Sequence, residues 1–375
     1  MSRPEQSNRF FIVKAIREYY SRKPLEEPLY LPKREIAIYS LEDRAYIRHL
    51  SFPSMSKLYD FILREKTPLH LYYSSAYYEN PSSDKMELKG WLGSDLLFDI
   101  DSDKYPGCDK HILVCVKDNR IINSGNCPGG DEPIKLPIIP EECIKRAFYD
   151  VVKLYTVLRD ELGFKNISIY FSGNRGFHVK VSDDSVLSLS SEERREIVSY
   201  ILLEKIDLTR LFPLMGKRNK YTLLHERREY GVRGRILRLL KAAGSNYERF
   251  GDYIKLPYEE LETFVEEAKI KIDPVVTIDT SRLSRFGYSL NCKAGLVVKP
   301  LDMEKITNIS YTDFNPWEGE VIVKGRVDLD VEVLKEKVSI RRSEAIALKT
   351  HIALYLALYN LVDIIKIREL GVKRV

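Results

Sequence analysis

Residues 96–101, LLFDID, alternate as a half-buried strand does, yet they place acids where a sheet interior would reject them. Side chains two apart in a strand share a face, so Asp99 and Asp101 stand side by side while Phe98 and Ile100 point to the opposite face, toward a core. Two carboxylates on one face repel. A divalent cation between them removes the repulsion, and a set of oxygen ligands suits Mg²⁺ or Mn²⁺. The competing reading ends the strand at Ile100 and leaves the acids in water. Asp103 falls where the chain is leaving the strand.

The flanking patterns are mixed α/β. Residues 9–23 have helical spacing and stop at Pro24, while EIAIYSL and AYIRHLSF alternate as a strand hairpin across Glu42, Asp43 and Arg44. A further strand runs through WLGSDLLFDID. Residues 141–164 form an amphipathic helix that ends at Gly163, and NISIYFSGNRGFHVKV (166–181) reads as two strands joined by a glycine-containing turn. From about 184 to 270 the pattern is helical with loops. Strands return in VVTIDTSR, LVVKP and EVIVKGRVDLDVEV, and residues 343–370 read as one long helix, N-capped by Ser343 and terminated at Gly371. The apolar face of that helix is wider than one core-facing stripe, so it is either central to the fold or covered by another protein.

A chain of 375 residues can form one large catalytic unit with insertions, or two to three domains. No apolar run approaches the roughly 18 residues of a membrane span, and the opening MSRPEQSNRFF lacks a signal-peptide core, so a cytoplasmic, membrane-free protein is expected. The five cysteines then require a reason other than disulfides. The single glutamine, Gln6, in a chain that is 31% charged suits a thermophile. Net charge is only +5, but between Lys217 and Lys241 nine Lys/Arg face two acids. That band suits template or primer phosphates; a partner surface or plain solvated helices are the other readings.

SGNRGFH, in the turn after residue 171, is a second chemical element. Gly173 and Gly176 admit a close ligand, Ser172 and Arg175 can donate to phosphate oxygens, and His178 can donate to or exchange protons with a phosphate; an ordinary hairpin turn with an incidental arginine is the alternative. Cys108, His111, Cys115, Cys127 and Cys143 group within 36 residues, and thiolate and imidazole are the ligands that Zn²⁺ prefers. Five candidates compete for four places.

Taken together, LLFDID, YFSGNRGFHVKV and KIDPVVTIDTSRLSRFGYSLNCKAGL resemble the catalytic (small) subunit of archaeal and eukaryotic DNA primases over most of the chain. That family carries D-x-D, then S-G-x-R-G-x-H, then a third Asp before RL-x-R-x-x-x-SLH-x-KTG. The resemblance implies a mixed-sheet α/β fold of the archaeo-eukaryotic primase type: a catalytic core from 1–107, 141–182 and 271–375, a zinc-binding insertion at 108–143 and a helical insertion at 184–270. It makes Asp99, Asp101 and Asp273 the ligands of two catalytic Mg²⁺ or Mn²⁺ ions, with Asp279 as the fallback for the third. Ser172, Arg175, His178 and Arg285 become triphosphate contacts, and YIRHLSF adds Arg48; Asn174 occupies a position that is often basic. Asn291 stands where the family usually has His, so its nucleotide contact cannot carry charge.

The resemblance also implies a structural zinc site whose last ligand aligns with Cys143. Cys108, His111, Cys127 and Cys143 are the expected set, with Cys115, inside the alternating HILVCVKD, as the alternative ligand. The implied reaction is de novo synthesis of short primers from nucleoside triphosphates on single-stranded DNA by an archaeal chain paired with a large primase subunit. A primase-polymerase that mainly extends primers, or a non-catalytic zinc-containing nucleic-acid-binding subunit, are the competing functions.

Overall fold

The computed structural model describes residues 3–217, 220–244, 247–306 and 308–373. Helix α1 (Arg3–Ser21) buries Phe11, Ala15, Ile16, Tyr19 and Tyr20, a helical spacing that supplies one wall of the largest core. Strands β1 (Ile36–Ser40) and β2 (Ala45–Leu50) form the expected hairpin, followed by α2 (Met55–Arg64), which Ser54 caps by accepting from the Lys57 amide, and by β3 (Pro68–Ser74). The acidic strand is β4 (Leu96–Asp101). Residues 91–94 are a separate strand, paired with Ala76–Tyr78, so the single strand read through WLGSDLLFDID breaks at Asp95.

Next come β5 (His111–Cys115), β6 (Arg120–Ile122) and β7 (Ile134–Pro137), a small antiparallel sheet in the order β6-β5-β7. Helix α3 (Glu141–Thr156) continues as one π turn to Glu161 and packs Phe148 against Phe177, ring centroids 5.7 Å apart. Strands β8 (Ile167–Phe171) and β9 (Gly176–Val181) are the expected hairpin. The 184–270 region holds α4 (Ser191–Leu202), β10 (Tyr221–His225), α5 (Gly231–Ala242), β11 (Arg249–Phe250), β12 (Tyr253–Pro257) and α6 (Tyr258–Ala268), with a core of its own around Leu224, Ile236 and Leu256. It is therefore not purely helical: β10, β12 and β11 form a three-stranded sheet.

The stretch read as a strand in VVTIDTSR is instead a short helix, α7 (Pro274–Ile278), followed by β13 (Leu283–Arg285). Asp273 caps α7 by accepting from the Val275 amide at 3.0 Å, and Pro274 presets the first helical φ, so local capping overrides the apolar alternation. After β14 (Lys299–Pro300) and β15 (Glu320–Gly325), the expected long helix at 343–370 resolves into β16 (Ala345–Lys349), α8 (Thr350–Leu358) and β17 (Val362–Ile367), with β15 between the two strands. Ser343 has φ 66° and caps nothing, and Asn360 at φ 54° ends α8. The run is apolar because α8 is buried on every side, so its uniform hydrophobicity carried no period to mark where the helix began.

Two four-stranded antiparallel sheets position the site: β13-β3-β1-β2 and β14-β8-β9-β4. In the second, Phe98, Ile100, Phe177 and Val179 face α3, which leaves the opposite face of β4 and β9 to Asp99, Asp101 and His178. Among the described residues no helix is long and apolar enough to cross a membrane.

The structure does not bring the expected zinc ligands together as free thiols. Cys108 is bridged to Cys143 and Cys115 to Cys127 as disulfides, so the sulfurs expected to bind zinc are bonded to each other. His111 is exposed on β5, opposite Pro137. Cys115, the alternative ligand, is the partner of Cys127. Asp118 also lies within 4.8 Å of the Cys115 and Cys127 sulfurs, but a bridged sulfur offers no thiolate to a metal. Titration of unfolded, unreduced protein with a thiol reagent should find one reactive thiol, Cys292, out of five. Release of zinc together with five titrating thiols would reject this pairing.

Candidate active site

Asp99 and Asp101 come together with the hairpin turn because β4 pairs with β9 in a register that sets His178 opposite Asp99 and Gly176 opposite Asp101. A Cβ on Gly176 would collide with Asp101 Oδ1 and lie 2.6 Å from the Ile100 carbonyl oxygen. Gly173, at φ 76°, reverses the chain where a Cβ would also strike Asn291. Gly176 thus lets backbone lie flat against the Asp101 carboxylate, and Gly173 lets the turn close against Asn291. Ser172 Oγ accepts from the Gly176 amide at 3.1 Å, and Asn291, which is buried, donates from Nδ2 to the Ser172 carbonyl at 2.8 Å. The structure therefore gives Asn291 the task of bracing the turn from within the pocket wall.

Asp273 enters through its backbone, its amide donating to the Asp99 carbonyl at 2.9 Å. Burial, then the charge of Asp273, pushes Asp99 up to about 6; burial, then the charge of Asp99, does the same to Asp101. Asp99 Oδ1 is buried without a hydrogen-bond partner, and His178 Nε2 stands 3.6 Å from it. Burial, then the charge of Arg285, holds His178 down at about 4, so near neutral pH it is an uncharged donor. Crowded carboxylates, one with an orphaned oxygen, are the donor set that a hard divalent cation satisfies, and the residues present fit Mg²⁺ or Mn²⁺. Asp279, the fallback, is spent in a turn, accepting from the Ser281 amide and hydroxyl at 2.8 Å each.

A cleft of about 260 Å³ is lined by Asp99 and Asp101 together with the cationic Arg175, Arg282, Arg285 and Lys293; Ser172, Asn174 and His178 also line it. Arg175 is held by Asp103 at 2.6 Å and stands 3.9 Å from Asp101. Arg285 lies over the Tyr72 ring at 4.7 Å and meets His70 Nδ1 at 3.3 Å. Burial, then Arg285, forces His70 down to about 2, which keeps its ring neutral and able to accept. Arg48 is placed elsewhere: it pairs with buried Glu35 at 2.7 Å, together with Lys89, outside the residues that line the cleft.

Sequence reasoning missed Arg282, Lys293, Tyr72, His70 and the ion pair of Asp103. The spacing SRLSR, two arginines three apart, was the available signal for Arg282. Part of the basic band is committed to partners within the fold. Arg233 is spent on Glu229 and the carbonyls of Leu211 and Leu223, Arg235 and Arg238 on Glu161, and Lys241 on the Glu226 carbonyl. Arg218 lies outside the described residues.

A cleft that combines paired carboxylates with several cationic side chains is suited to binding the phosphates of a nucleotide beside a divalent cation. Residues 134–303 match the family model described as DNA primase small subunit. The chain is 53% identical to the DNA primase small subunit of Staphylothermus marinus, with all of both chains covered. It is 34% identical to that of Sulfurisphaera tokodaii, over 92% of this chain and 93% of the relative, and 32% identical to that of Aeropyrum pernix, over 91% and 89%. The chain belongs to the DNA primase small subunit family.

Proposed function

We propose that the chain synthesises short primers de novo on single-stranded DNA, joining nucleoside triphosphates by two-metal nucleotidyl transfer at Asp99, Asp101 and Asp273. The carrying observation is the juxtaposition of two carboxylates, each pushed up to about 6, with four cationic side chains in one cleft. Divalent ions held by the three aspartates would supply Lewis-acid stabilisation of charge developing at the α-phosphate. The remaining work falls to the protein. Arg282, Arg285 and Lys293 present fixed positive charge to a triphosphate, and Arg285 is preorganised by Tyr72 and neutral His70. Arg175 exchanges Asp103 for phosphate oxygens, while neutral His178 donates a hydrogen bond without competing with the cations for the carboxylates. Ser172 and the Gly173–Gly176 backbone shape the phosphate side of the cleft. The relatives' designation as small subunits supports a large primase subunit as the partner.

The test is synthesis on unprimed single-stranded DNA with labelled nucleotides. Oligonucleotides should form without added primer, and Arg175→Ala should raise the nucleotide KM by about tenfold or more, the value of one charge-assisted hydrogen bond to phosphate. Extension of primed templates alone would transfer the chain to the primase-polymerase reading.

A further inference from the structure

We propose that the outer face of the sheet β10-β12-β11 is a second surface for single-stranded nucleic acid, remote in sequence from the cleft, on which unpaired bases stack. The inner face of this sheet is closed: Thr222, Leu224, Ile254 and Leu256 are buried within the core that includes α5 and α6. Strand alternation therefore assigns His225, Tyr253 and Phe250 to the outer face. His225 is the cross-strand partner of Tyr253, and Tyr253 that of Phe250, so the three rings form one row with a member from each strand. The His225 and Tyr253 rings are 5.1 Å apart. Phe250 is 73% exposed and Tyr253 42%, an unusual outlay of aromatic surface for side chains that complete no core.

Cations border the row. Arg227 and Arg228 follow His225 after Glu226 and are exposed. Of the nearby carboxylates, Glu226 pairs with Arg249 at 3.4 Å, Glu229 with Arg233 at 2.6 Å and Glu248 with Lys255 at 2.7 Å, while the exposed Asp252, next to Tyr253, sets one negative charge against the two arginines. These two arginines are thus a remnant of the basic band that the fold does not consume. Aromatic rings accept the face of any base and guanidinium groups take the adjoining phosphates, the combination that holds single strands without reading sequence. A protein partner would also cover exposed rings, but the adjacent uncommitted guanidinium pair favours an anionic strand.

The identity of that strand as template or primer rests on the primase reading; the binding itself does not. The test is fluorescence anisotropy of a labelled oligothymidylate of about 16 nucleotides, without nucleotide or divalent metal, using the full chain. Wild type and Asp101→Asn should bind equally, which separates this surface from the chemistry of the cleft. Phe250→Ala/Tyr253→Ala should weaken binding by about tenfold or more with an unchanged salt slope. Arg227→Ala/Arg228→Ala should weaken it and flatten the log–log salt slope by about 1 to 1.5. Unaltered melting temperatures confirm that these exposed truncations leave the fold intact. Absence of binding by wild type overturns the proposal. So does unchanged affinity in both variants, even if self-association or binding of another protein is altered, and so does a loss confined to the arginine variant.

Discussion

Asp101→Asn should abolish primer synthesis, by at least about 10³-fold, while the metal-free protein melts at or above the wild-type temperature. The two effects have one origin. In the metal-free fold Asp99 and Asp101 are crowded and desolvated, and each is pushed from 3.8 up to about 6. An acid whose folded pKa is raised binds more protons in the native state, so the metal-free protein loses stability as pH rises from about 4 through about 6, and the penalty is complete above that window. A single shift of that size is worth about 3 kcal/mol, so the pair costs at least that much near pH 7. Asparagine removes one charge of the pair, lifts part of the penalty and flattens this pH dependence. It also removes the electrostatic demand for a cation. Mg²⁺ or Mn²⁺ should accordingly raise the wild-type melting temperature in a thermal scan and raise that of Asp101→Asn much less. Full activity in the variant, or an equal metal-induced shift, would reject the ligand assignment; melting far below wild type would mean that Asp101 holds the fold together instead.

The parts of this site that were legible in the sequence are those fixed by a local period or turn. The strand of Asp99 and Asp101 and the hairpin around Gly173 and Gly176 were visible because period-two alternation and glycine punctuation are local signals. Asp273 was reached only through family resemblance: locally it is an N-cap before a proline, and its proximity to Asp99 is created by a backbone bond across some 170 residues. His70 and Tyr72 were invisible for a similar reason. They sit on β3, in the other sheet, and acquire meaning only when β13 lays Arg285 beside them. The cysteines show a different limit. Spacing identified a cluster but could not choose between a metal and two bridges, because that choice depends on which sulfurs the small β6-β5-β7 sheet brings into contact. The basic band was legible only as a count, because counting charges along a chain does not reveal Glu161, 74 residues before Arg235, which takes up Arg235 and Arg238.

The largest effect on stability should come from Asp95, a residue with no reactive role. Its carboxylate forms an ion pair with Arg34 at 2.8 Å, and neither side chain has any exposed surface. Tyr77 donates to Asp95 Oδ1 at 2.9 Å. Arg34 also donates to the Leu29, Ser74 and Ser75 carbonyls and to the Tyr77 hydroxyl, over whose ring it lies at 3.8 Å. Arg34 and Ser74 belong to the approaches and ends of β1 and β3, whereas Asp95 immediately precedes β4, so this buried pair fastens one sheet to the strand that carries Asp99 and Asp101. Asp95→Ala strands a desolvated guanidinium, which costs about 3–5 kcal/mol and should lower the melting temperature by roughly 10 °C. Arg34→Ala/Asp95→Ala should be less destabilised than the two single losses summed, because no uncompensated charge remains. Activity of Asp95→Ala at temperatures below its transition should track the folded fraction, and its metal-induced thermal shift should persist. A change in stability under about 1 kcal/mol would show that water or a rearranged neighbour takes over from Asp95 and that the two sheets are held in place by apolar packing alone.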